Sequence, residues 1–292
     1  MKKMSVKEAV AASGAKLISG SDTSVFDKVV RDSKEAVKGS LFVGLQGANA
    51  DGSIYAPEAY AEGCRAMLLS DGDAAYSIAE EHPDIAVMVT NDTLKSMQSL
   101  AKYYLGTCKA KKIGITGSVG KTTTKEMCYN IFSSHYKTIC NYENFNNHIG
   151  VPLTAFTVED DTETAIFEMG MNHRGEIRPL ADIVRPQLTI ITNVGDSHIG
   201  NLGSRDVIYE EKIDITSFLN ADGVLVYNAD DDKLAQIDGN SCTWKCIPCG
   251  KDVDCSGVKI SDIEETETGI RFCLSNAGEQ AAFKLPVSDL IG

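Results

Sequence analysis

The stretch GITGSVGKTTT, Gly114–Thr124, decides how the chain is interpreted. It ends in Gly-Lys-Thr, as phosphate-binding loops do, but Ile115 stands where the usual pattern G-x-x-x-x-G-K-[ST] has its first glycine. The apolar run KIGIT before it predicts a strand, and the residues from Lys121 to Ser133 have the spacing of a helix. A loop between a strand and a helix is the context that phosphate binding requires.

Each residue type in this loop suits the binding of ATP. Gly117 and Gly120 let backbone N–H groups approach phosphate oxygens without a Cβ in the way. Lys121 offers a cation to the β- and γ-phosphates, and Thr122 offers a hydroxyl to Mg²⁺. The alternative is a tight turn that carries an exposed lysine. We therefore predict ATP and Mg²⁺ as cofactors.

The composition is that of a globular protein, with 292 residues of which 43% are apolar and 24% charged. This length allows two domains, each with its own core. The basic start MKKMSVKEAV lacks the apolar segment of a secretory signal, and Ser5 and Glu8 are spaced as a capping box of a helix. A net charge of −13 argues against nucleic acids and anionic membranes, and nine cysteines indicate reduced thiols in a cytoplasm.

The pattern of apolar runs predicts two α/β domains. Over residues 1–90, short apolar runs alternate with Gly/Asp turns, which indicates a small domain. From residue 91 onward, a helix is followed by the predicted buried strands ETAIFEMG, QLTIITNVG and GVLVYNADD, with a helix near 205–219 between the last two. Residues 91–292 therefore read as a doubly wound, mostly parallel sheet. The alternating runs VKISDIE, GIRFCLS and AAFKLP predict a short antiparallel appendage.

Polar residues follow the predicted strands at the sheet edge where ligands bind in such folds. Glu168 ends AIFEMG, and Asn193 and His198 lie in ITNVGDSHIG. A carboxylate at this edge is suited to Mg²⁺. Strand-end acids are also often merely solvated, and loop histidines are often structural. Convergence with the phosphate loop at one edge is what favours a functional role.

Three further segments have both a functional and a simpler interpretation. The run NYENFNNHIGVPLT, which contains Asn147, has four asparagines in seven residues, but asparagine-rich loops commonly form turns. Lys212 in EEKIDI would lie on a solvated helix face in the simpler case. Asn228 and Asp230 in YNADDD would then be only a strand end followed by a helix cap.

A cysteine cluster lies in CTWKCIPCGKDVDC, with Cys242, Cys246, Cys249 and Cys255. Cys246 and Cys249 have the C-x-x-C spacing of zinc ligands. Four-cysteine zinc sites usually use two compact pairs separated by a longer loop, whereas these cysteines fall within 14 residues. We therefore expect reduced, partly buried thiols here.

Taken together, these segments resemble the ATP-dependent Mur ligases of peptidoglycan synthesis. The phosphate loop of that family reads T-G-[ST]-x-G-K-T-T, which matches Thr116–Thr123 and accounts for Ile115. NNHIGVPLT, EMGMNHRGEI and NADD are similar to family segments. DSKEAVKGSLFVGLQGANADG resembles the family's UDP-recognition segment, with D-S-K in place of the usual D-S-R. The resemblance covers essentially the whole chain.

The resemblance implies an ADP-forming amide ligase. ATP would phosphorylate a carboxylate of UDP-MurNAc-tripeptide, and the amine of D-Ala-D-Ala would then attack the acyl phosphate. Residues 1–90 would bind the UDP-substrate, and residues 91–292 would bind ATP. Lys121 would hold the γ-phosphate, Thr122 and Glu168 one Mg²⁺ and His198 a second, and Lys212 would be carbamylated.

The resemblance also implies individual ligand contacts. The implied contacts with the nucleotide are Thr116, Gly117, Ser118, Val119, Gly120, Lys121, Thr122, Thr123, Asn147, Asn228 and Asp230. The implied contacts with the UDP group are Ser33, Lys34, Gln46 and Gly47.

The chain departs from the family in one respect, and three alternative functions remain open. After FKLPVSDLIG the family continues into a third domain, so we expect this chain to hold UDP-substrate or phosphate weakly, not to ligate, and to be a monomer. The alternatives are a related muramyl ligase that adds the third amino acid, a P-loop kinase or NTPase, and a binding module without turnover. Release of ADP that depends on D-Ala-D-Ala would separate them.

Overall fold

The computed structural model describes residues 1–47, 50–254 and 256–285. The strands are β1 (Met4–Ser5), β2 (Lys16–Ser19), β3 (Val25–Phe26), β4 (Lys28–Val30), β5 (Ser40–Val43), β6 (Ala66–Ser70), β7 (Ala86–Thr90), β8 (Lys111–Thr116), β9 (Thr138–Cys140), β10 (Thr164–Glu168), β11 (Leu188–Ile191), β12 (Val224–Asn228), β13 (Lys245–Gly250), β14 (Val258–Thr266), β15 (Gly269–Asn276) and β16 (Glu279–Leu285). The helices are α1 (Val6–Ser13), α2 (Ala56–Ala61), α3 (Asp73–Glu81), α4 (Thr93–Thr107), α5 (Lys121–Ser133), α6 (Gly150–Ala155), α7 (Ile177–Val184), α8 (Ile199–Leu202) and α9 (Arg205–Ile213).

The chain forms two compact units. The first unit comprises Met1–Lys111, Tyr129–Phe167 and Asp182–Val184. The second comprises Lys112–Cys128, Glu168–Ala181 and the described part of Arg185–Gly292. Helix α4 belongs to the first unit, and the division into functional domains at residue 90 stays a prediction.

The first unit is built on a five-stranded sheet in the order β2-β7-β6-β5-β4. Strands β4 to β7 are parallel, and β2 pairs antiparallel with β7. The sequences of β6 and β7 are continuously apolar because the sheet is covered on both faces. The core side chains beside this sheet include Phe42, Met67, Leu69, Ile78 and Val87.

Two predicted helix features of the first unit are confirmed. The capping box forms at the start of α1, where the N–H of Ser5 donates to Oε2 of Glu8 at 2.9 Å and the N–H of Glu8 donates to Oγ of Ser5 at 3.3 Å. Helix α4 buries one apolar face, which includes Tyr104. The Tyr104 hydroxyl donates to the carbonyl of Val158 and accepts the N–H of Lys2 at 2.9 Å.

The second unit contains a mostly parallel sheet in the order β16-β15-β14-β13-β12-β11-β8. Strands β8, β11, β12 and β13 are parallel, which confirms the predicted class. The antiparallel arrangement predicted for the tail is also confirmed in β14, β15 and β16. A parallel pairing of β13 with β14, in which Cys249 faces Val258, joins this ribbon to the main sheet. The last residue of AAFKLP, Pro286, lies outside the described residues.

The cysteine cluster lies mainly on β13. Cys246 and Cys249 are three residues apart on this strand, so their side chains point to opposite faces of the sheet. Burial raises the pKa of the Cys246 thiol to about 12, which keeps it protonated. Cys255 lies outside the described residues, and within the described ranges no three or more His, Cys, Asp or Glu side chains group as metal ligands would.

Among the described helices, none combines the length and the apolar character needed to cross a bilayer.

Candidate functional site

The predicted phosphate loop lies between β8, which ends at Thr116, and α5, which begins at Lys121. Both glycines of the loop have positive φ, 154° at Gly117 and 79° at Gly120. A Cβ at Gly117 would overlap the hydroxyl of Thr192, whereas a Cβ at Gly120 would meet open space. Glycine is therefore required at 117 for room and at 120 for its backbone conformation.

The tip of the loop is held by the segment that follows β11. The N–H of Ser118 donates to the carbonyl of Asn193 at 3.0 Å. The Asn193 side chain accepts the N–H of Val119 at 3.0 Å and donates to the carbonyl of Val119 at 3.0 Å. The Thr192 hydroxyl donates to the same carbonyl at 2.6 Å, and the N–H of Gly195 donates to Oγ of Ser118 at 2.9 Å.

The backbone amides that come next in the loop face no acceptor within the described part of the chain. The N–H groups of Gly120, Lys121, Thr122 and Thr123 have none among the described residues. They form the N-terminus of the 13-residue helix α5, where the first amides are free and the helix dipole is positive. This geometry is suited to a phosphate group.

The ammonium group of Lys121 is held over the loop. It donates to the carbonyl of Gly117 at 2.9 Å and to that of Ser118 at 3.3 Å. Burial lowers the pKa of Lys121, and attraction by the carboxylate of Glu168 opposes that shift. The lysine head thus lies on the phosphate loop itself, where it can offer its charge to an anion bound at the loop.

The structure brings Thr122 and Glu168 together. The Thr122 hydroxyl donates to Oε2 of Glu168 at 3.0 Å, although the two residues are 46 positions apart in the chain. Glu168 is the last residue of β10 and is only 1% exposed. A hydroxyl and a carboxylate are ligands that Mg²⁺ accepts together with phosphate oxygens and water, so this donor set fits that ion. The hydroxyl of Thr116, the last residue of β8, donates at 2.9 Å to the carbonyl of Met169, the residue after Glu168.

Lys212 is buried, with 1% of its surface exposed, so the solvated-face interpretation is wrong for this residue. Burial lowers its pKa to about 7, with a further contribution from the positive charge of Lys121, while Glu211 acts in the opposite direction. The Glu211 carboxylate accepts the N–H of Gly175 at 2.7 Å and that of Ile177 at 2.8 Å. These bonds connect α9 with the start of α7.

His198 is not brought into contact with the magnesium pair. It is exposed, has a left-handed φ of 67° and precedes the short helix α8. In the part of the chain that the structure describes, its imidazole makes no hydrogen bond. Its role as ligand of a second ion therefore stays a prediction.

The predicted adenine residues form a turn after β12. The N–H of Asp230 donates to Oδ1 of Asn228 at 3.0 Å, and Oδ1 of Asp230 accepts the N–H of Lys251 at 2.8 Å. Asn147 belongs to the first unit, where its Oδ1 accepts the N–H of Ile149 at 3.0 Å at the start of α6. These contacts are those of turns and caps, and the nucleotide roles of the three residues stay predictions.

The predicted UDP-recognition residues lie in the first unit. The Ser33 hydroxyl is buried and donates to Oε2 of Glu58 at 2.6 Å, whereas Lys34 is exposed. Gln46 and Gly47 are exposed and close a short loop by backbone pairing. Residues 48 and 49 of the same segment lie outside the described part. The UDP role of this segment stays a prediction.

Sequence reasoning named Asn193 as a polar residue at the sheet edge but missed three other residues that shape the site. Thr192 lies, together with Asn193, beside the phosphate loop because Ile191 pairs with Thr116 in the sheet. The signal in the sequence for Thr192 was its place directly after an apolar strand. Glu211 and the fully buried Lys125 gave no such signal, since charged residues on helices are usually solvated.

Comparisons with known proteins agree with this geometry. The Mur ligase middle domain family matches residues 115–289. The UDP-N-acetylmuramoyl-tripeptide–D-alanyl-D-alanine ligase of Bacillus subtilis is 35% identical over 266 residues, which cover 91% of this chain and 56% of that protein. The chain thus spans about half the length of the curated relatives it matches.

Solved structures show the same similarity. MurF from Acinetobacter baumannii superposes with a TM-score of 0.87 and 27% identity, and the match covers 98% of this chain and 61% of that one. MurF from Thermotoga maritima, solved in complex with ADP, gives a TM-score of 0.76 and 25% identity, covering 89% and 58%. The chain belongs to the Mur ligase family.

Proposed function

We propose that this chain provides the UDP-substrate-binding and ATP-binding parts of an ADP-forming amide ligase that joins D-Ala-D-Ala to UDP-MurNAc-tripeptide. The observation that carries the proposal is the pairing of Thr122 with Glu168 beside Lys121, at the free amides of α5. The names of the relatives supply the substrates.

The residues present support phosphoryl transfer through charge neutralisation. The amides of Gly120 to Thr123 would bind phosphate oxygens, and the Lys121 ammonium would offset the charge that develops during transfer. Thr122 and Glu168 would hold Mg²⁺, which supplies further neutralisation of the phosphates when bound. A substrate carboxylate oxygen attacks the γ-phosphorus and ADP leaves. The amine then attacks the acyl carbon, phosphate leaves and the amide forms.

Carbamylation of Lys212 is part of the proposal. A buried amine with a pKa of about 7 is substantially neutral at neutral pH, and only the neutral form adds CO₂. The addition forms an N–C bond, releases one proton and leaves an anionic carbamate. The protonated form of Lys212 repels Lys121, whereas the carbamate would attract it. NMR of the chain under ¹³CO₂ should show a carbamate signal that is absent from Lys212→Met, and the same spectrum for both proteins would count against carbamylation.

The remaining assignments rest on the family alone. They are His198 for a second Mg²⁺, Asn147, Asn228 and Asp230 for the nucleotide, and Ser33, Lys34, Gln46 and Gly47 for the UDP group. We also infer a monomer in the cytoplasm, where ATP and nucleotide sugars are available. Sedimentation of the purified protein tests the monomer.

Titration of the chain with ADP and Mg²⁺ tests the nucleotide site directly. We expect binding that Lys121→Ala abolishes and that Lys259→Ala, a change at an exposed lysine of β14, leaves intact. Equal binding by both variants would mean that the loop is only a turn.

An ADP-release assay on the natural protein that carries this chain tests the amide ligase. Release should require UDP-MurNAc-tripeptide and D-Ala-D-Ala. Release that depends instead on meso-diaminopimelate or lysine, with the shorter muramyl dipeptide, would identify the related ligase. Phosphoryl transfer or hydrolysis without an amine would identify a kinase or NTPase.

A further inference from the structure

We propose that Asn193 is a positioning residue of the nucleotide site, which sets the conformation of the phosphate loop by acting through Val119. The inference rests on the proposed binding of a nucleotide at this loop. Both polar atoms of the Asn193 side chain are engaged by one residue, since Oδ1 accepts the Val119 N–H and Nδ2 donates to the Val119 carbonyl, each at 3.0 Å. The amide thus holds the peptide groups on both sides of Val119.

The contacts of Asn193 divide the loop amides into two sets. The N–H groups of Ser118 and Val119 are satisfied by the main chain and the side chain of Asn193. The following amides, from Gly120 to Thr123, have no acceptor among the described residues. Asn193 therefore determines which amides remain free for an anion.

The Val119 side chain is not part of the apolar core formed by the described residues. It is 62% exposed. Gly117, two residues before Val119, and Gly120, the next residue, both have positive φ. Glycines give the backbone freedom to rotate at both ends of the tip. Without the Asn193 amide, the Thr192 hydroxyl alone among the described residues would bind the Val119 carbonyl, and none of them would accept the Val119 N–H.

The segment that carries Asn193 is itself fixed. The next residue, Val194, donates its N–H to Oδ2 of Asp231 at 2.8 Å. Its carbonyl accepts Nε of Arg205 at 3.1 Å and Nη2 at 2.7 Å. Arg205 also donates to Oδ2 of Asp232 at 3.0 Å. Asn193 thus connects the phosphate loop with a segment that is bonded to the start of α9 and to the turn after β12.

The test compares Asn193→Ala and Asn193→Leu with the matched control Asn276→Ala. Asn276 lies in the same unit, and its Nδ2 donates to the carbonyl of Gly257 at 2.6 Å, so its removal also breaks one amide-to-backbone bond. Calorimetric titration with ADP and Mg²⁺ gives the affinity. Amide hydrogen exchange by NMR on the free protein gives the protection of the Val119 N–H.

We expect both Asn193 variants to bind ADP about tenfold more weakly, which corresponds to the loss of one or two hydrogen bonds. The Val119 N–H should exchange faster in these variants. Asn276→Ala should match the wild type in both measurements. If neither variant folds, Asn193→Ser, which keeps a short polar side chain, replaces them in the test. We expect it too to bind ADP more weakly and to show faster exchange of the Val119 N–H.

The outcomes separate the two proposals. A wild type that binds ADP, with Asn193 variants that bind it equally well, would overturn the positioning role alone. Unchanged exchange at Val119 would overturn it as well, because the side chain would then not hold the loop. A wild type that binds no ADP would overturn the proposed function, and this inference with it.

Discussion

Replacing Lys212 with methionine tests how much the burial of a cation lowers the free energy of unfolding. The side chain is 1% exposed, and burial together with the charge of Lys121 lowers its pKa from the ordinary value of 10.5 to about 7. A depression of this size corresponds to about 5 kcal/mol in favour of the neutral amine within the folded protein. Methionine fills a similar volume without the charge.

The direction of the pH dependence follows from the number of bound protons. Between pH 7 and pH 10 the unfolded lysine keeps its proton, whereas the folded one has lost it, so the wild type becomes more stable as the pH rises. Below pH 7 both forms are protonated and the destabilisation is complete. From pH 7 to pH 9 the wild type should gain about 2 kcal/mol relative to Lys212→Met.

Urea unfolding in CO₂-free buffer measures this difference. The single tryptophan of the chain, Trp244, lies in the same unit as Lys212, so its fluorescence reports the relevant transition. Comparison of the two proteins at each pH removes the contribution of all other titrating groups. Addition of bicarbonate should stabilise the wild type and leave Lys212→Met unchanged, if the carbamate forms.

A constant difference between the two proteins from pH 7 to pH 9 would refute the reasoning. The lysine would then keep an ordinary pKa in the folded state, and its head would have to reach water. A gain by the methionine variant as the pH rises would refute it also, since the sign would be reversed.

Substitutions at three further places, the phosphate loop, helix α4 and Glu168, test other parts of the structure. Gly117→Ala should lower the free energy of unfolding by more than about 2 kcal/mol, because the new Cβ overlaps the hydroxyl of Thr192. Gly120→Ala should lower it by about 1 kcal/mol, because only the backbone conformation is strained there. Urea titrations measure both values. Tyr104→Phe should lower the free energy of unfolding by about 1–3 kcal/mol, because the buried carbonyl of Val158 loses its donor. Tyr103→Phe, at an exposed position, should lower it by less than about 0.5 kcal/mol. Glu168→Gln should remove most of the Mg²⁺ dependence of ADP binding, and a fluorescent ADP analogue titrated with and without Mg²⁺ would detect it.

The local geometry of the phosphate loop could be predicted from the sequence, because it depends on neighbours in the chain. The predicted helix from Lys121 to Ser133 has those same bounds in the structure. The approach of Glu168 to Thr122 was also foreseeable, since the carboxyl ends of parallel strands share one edge.

Contacts set by packing between distant segments could not be predicted. Lys212 is flanked by acidic residues that suggest a solvated helix face, and only the tertiary fold buries it. The engagement of Val119 by Asn193 depends on the register between β11 and β8, in which Ile191 faces Thr116. A shift of one residue would turn that side chain to the other face of the sheet.

The antiparallel ribbon has a consequence for association between copies. Among the described strands, β16 stands at the end of the sheet order, and all of its residues except Leu285 are exposed. A sheet edge of this kind presents backbone groups to which another strand can add. Glu279 and Lys284 place charges along that edge, as edge strands that resist such pairing commonly do. Apolar residues at these two positions would convert the edge into a template for aggregation.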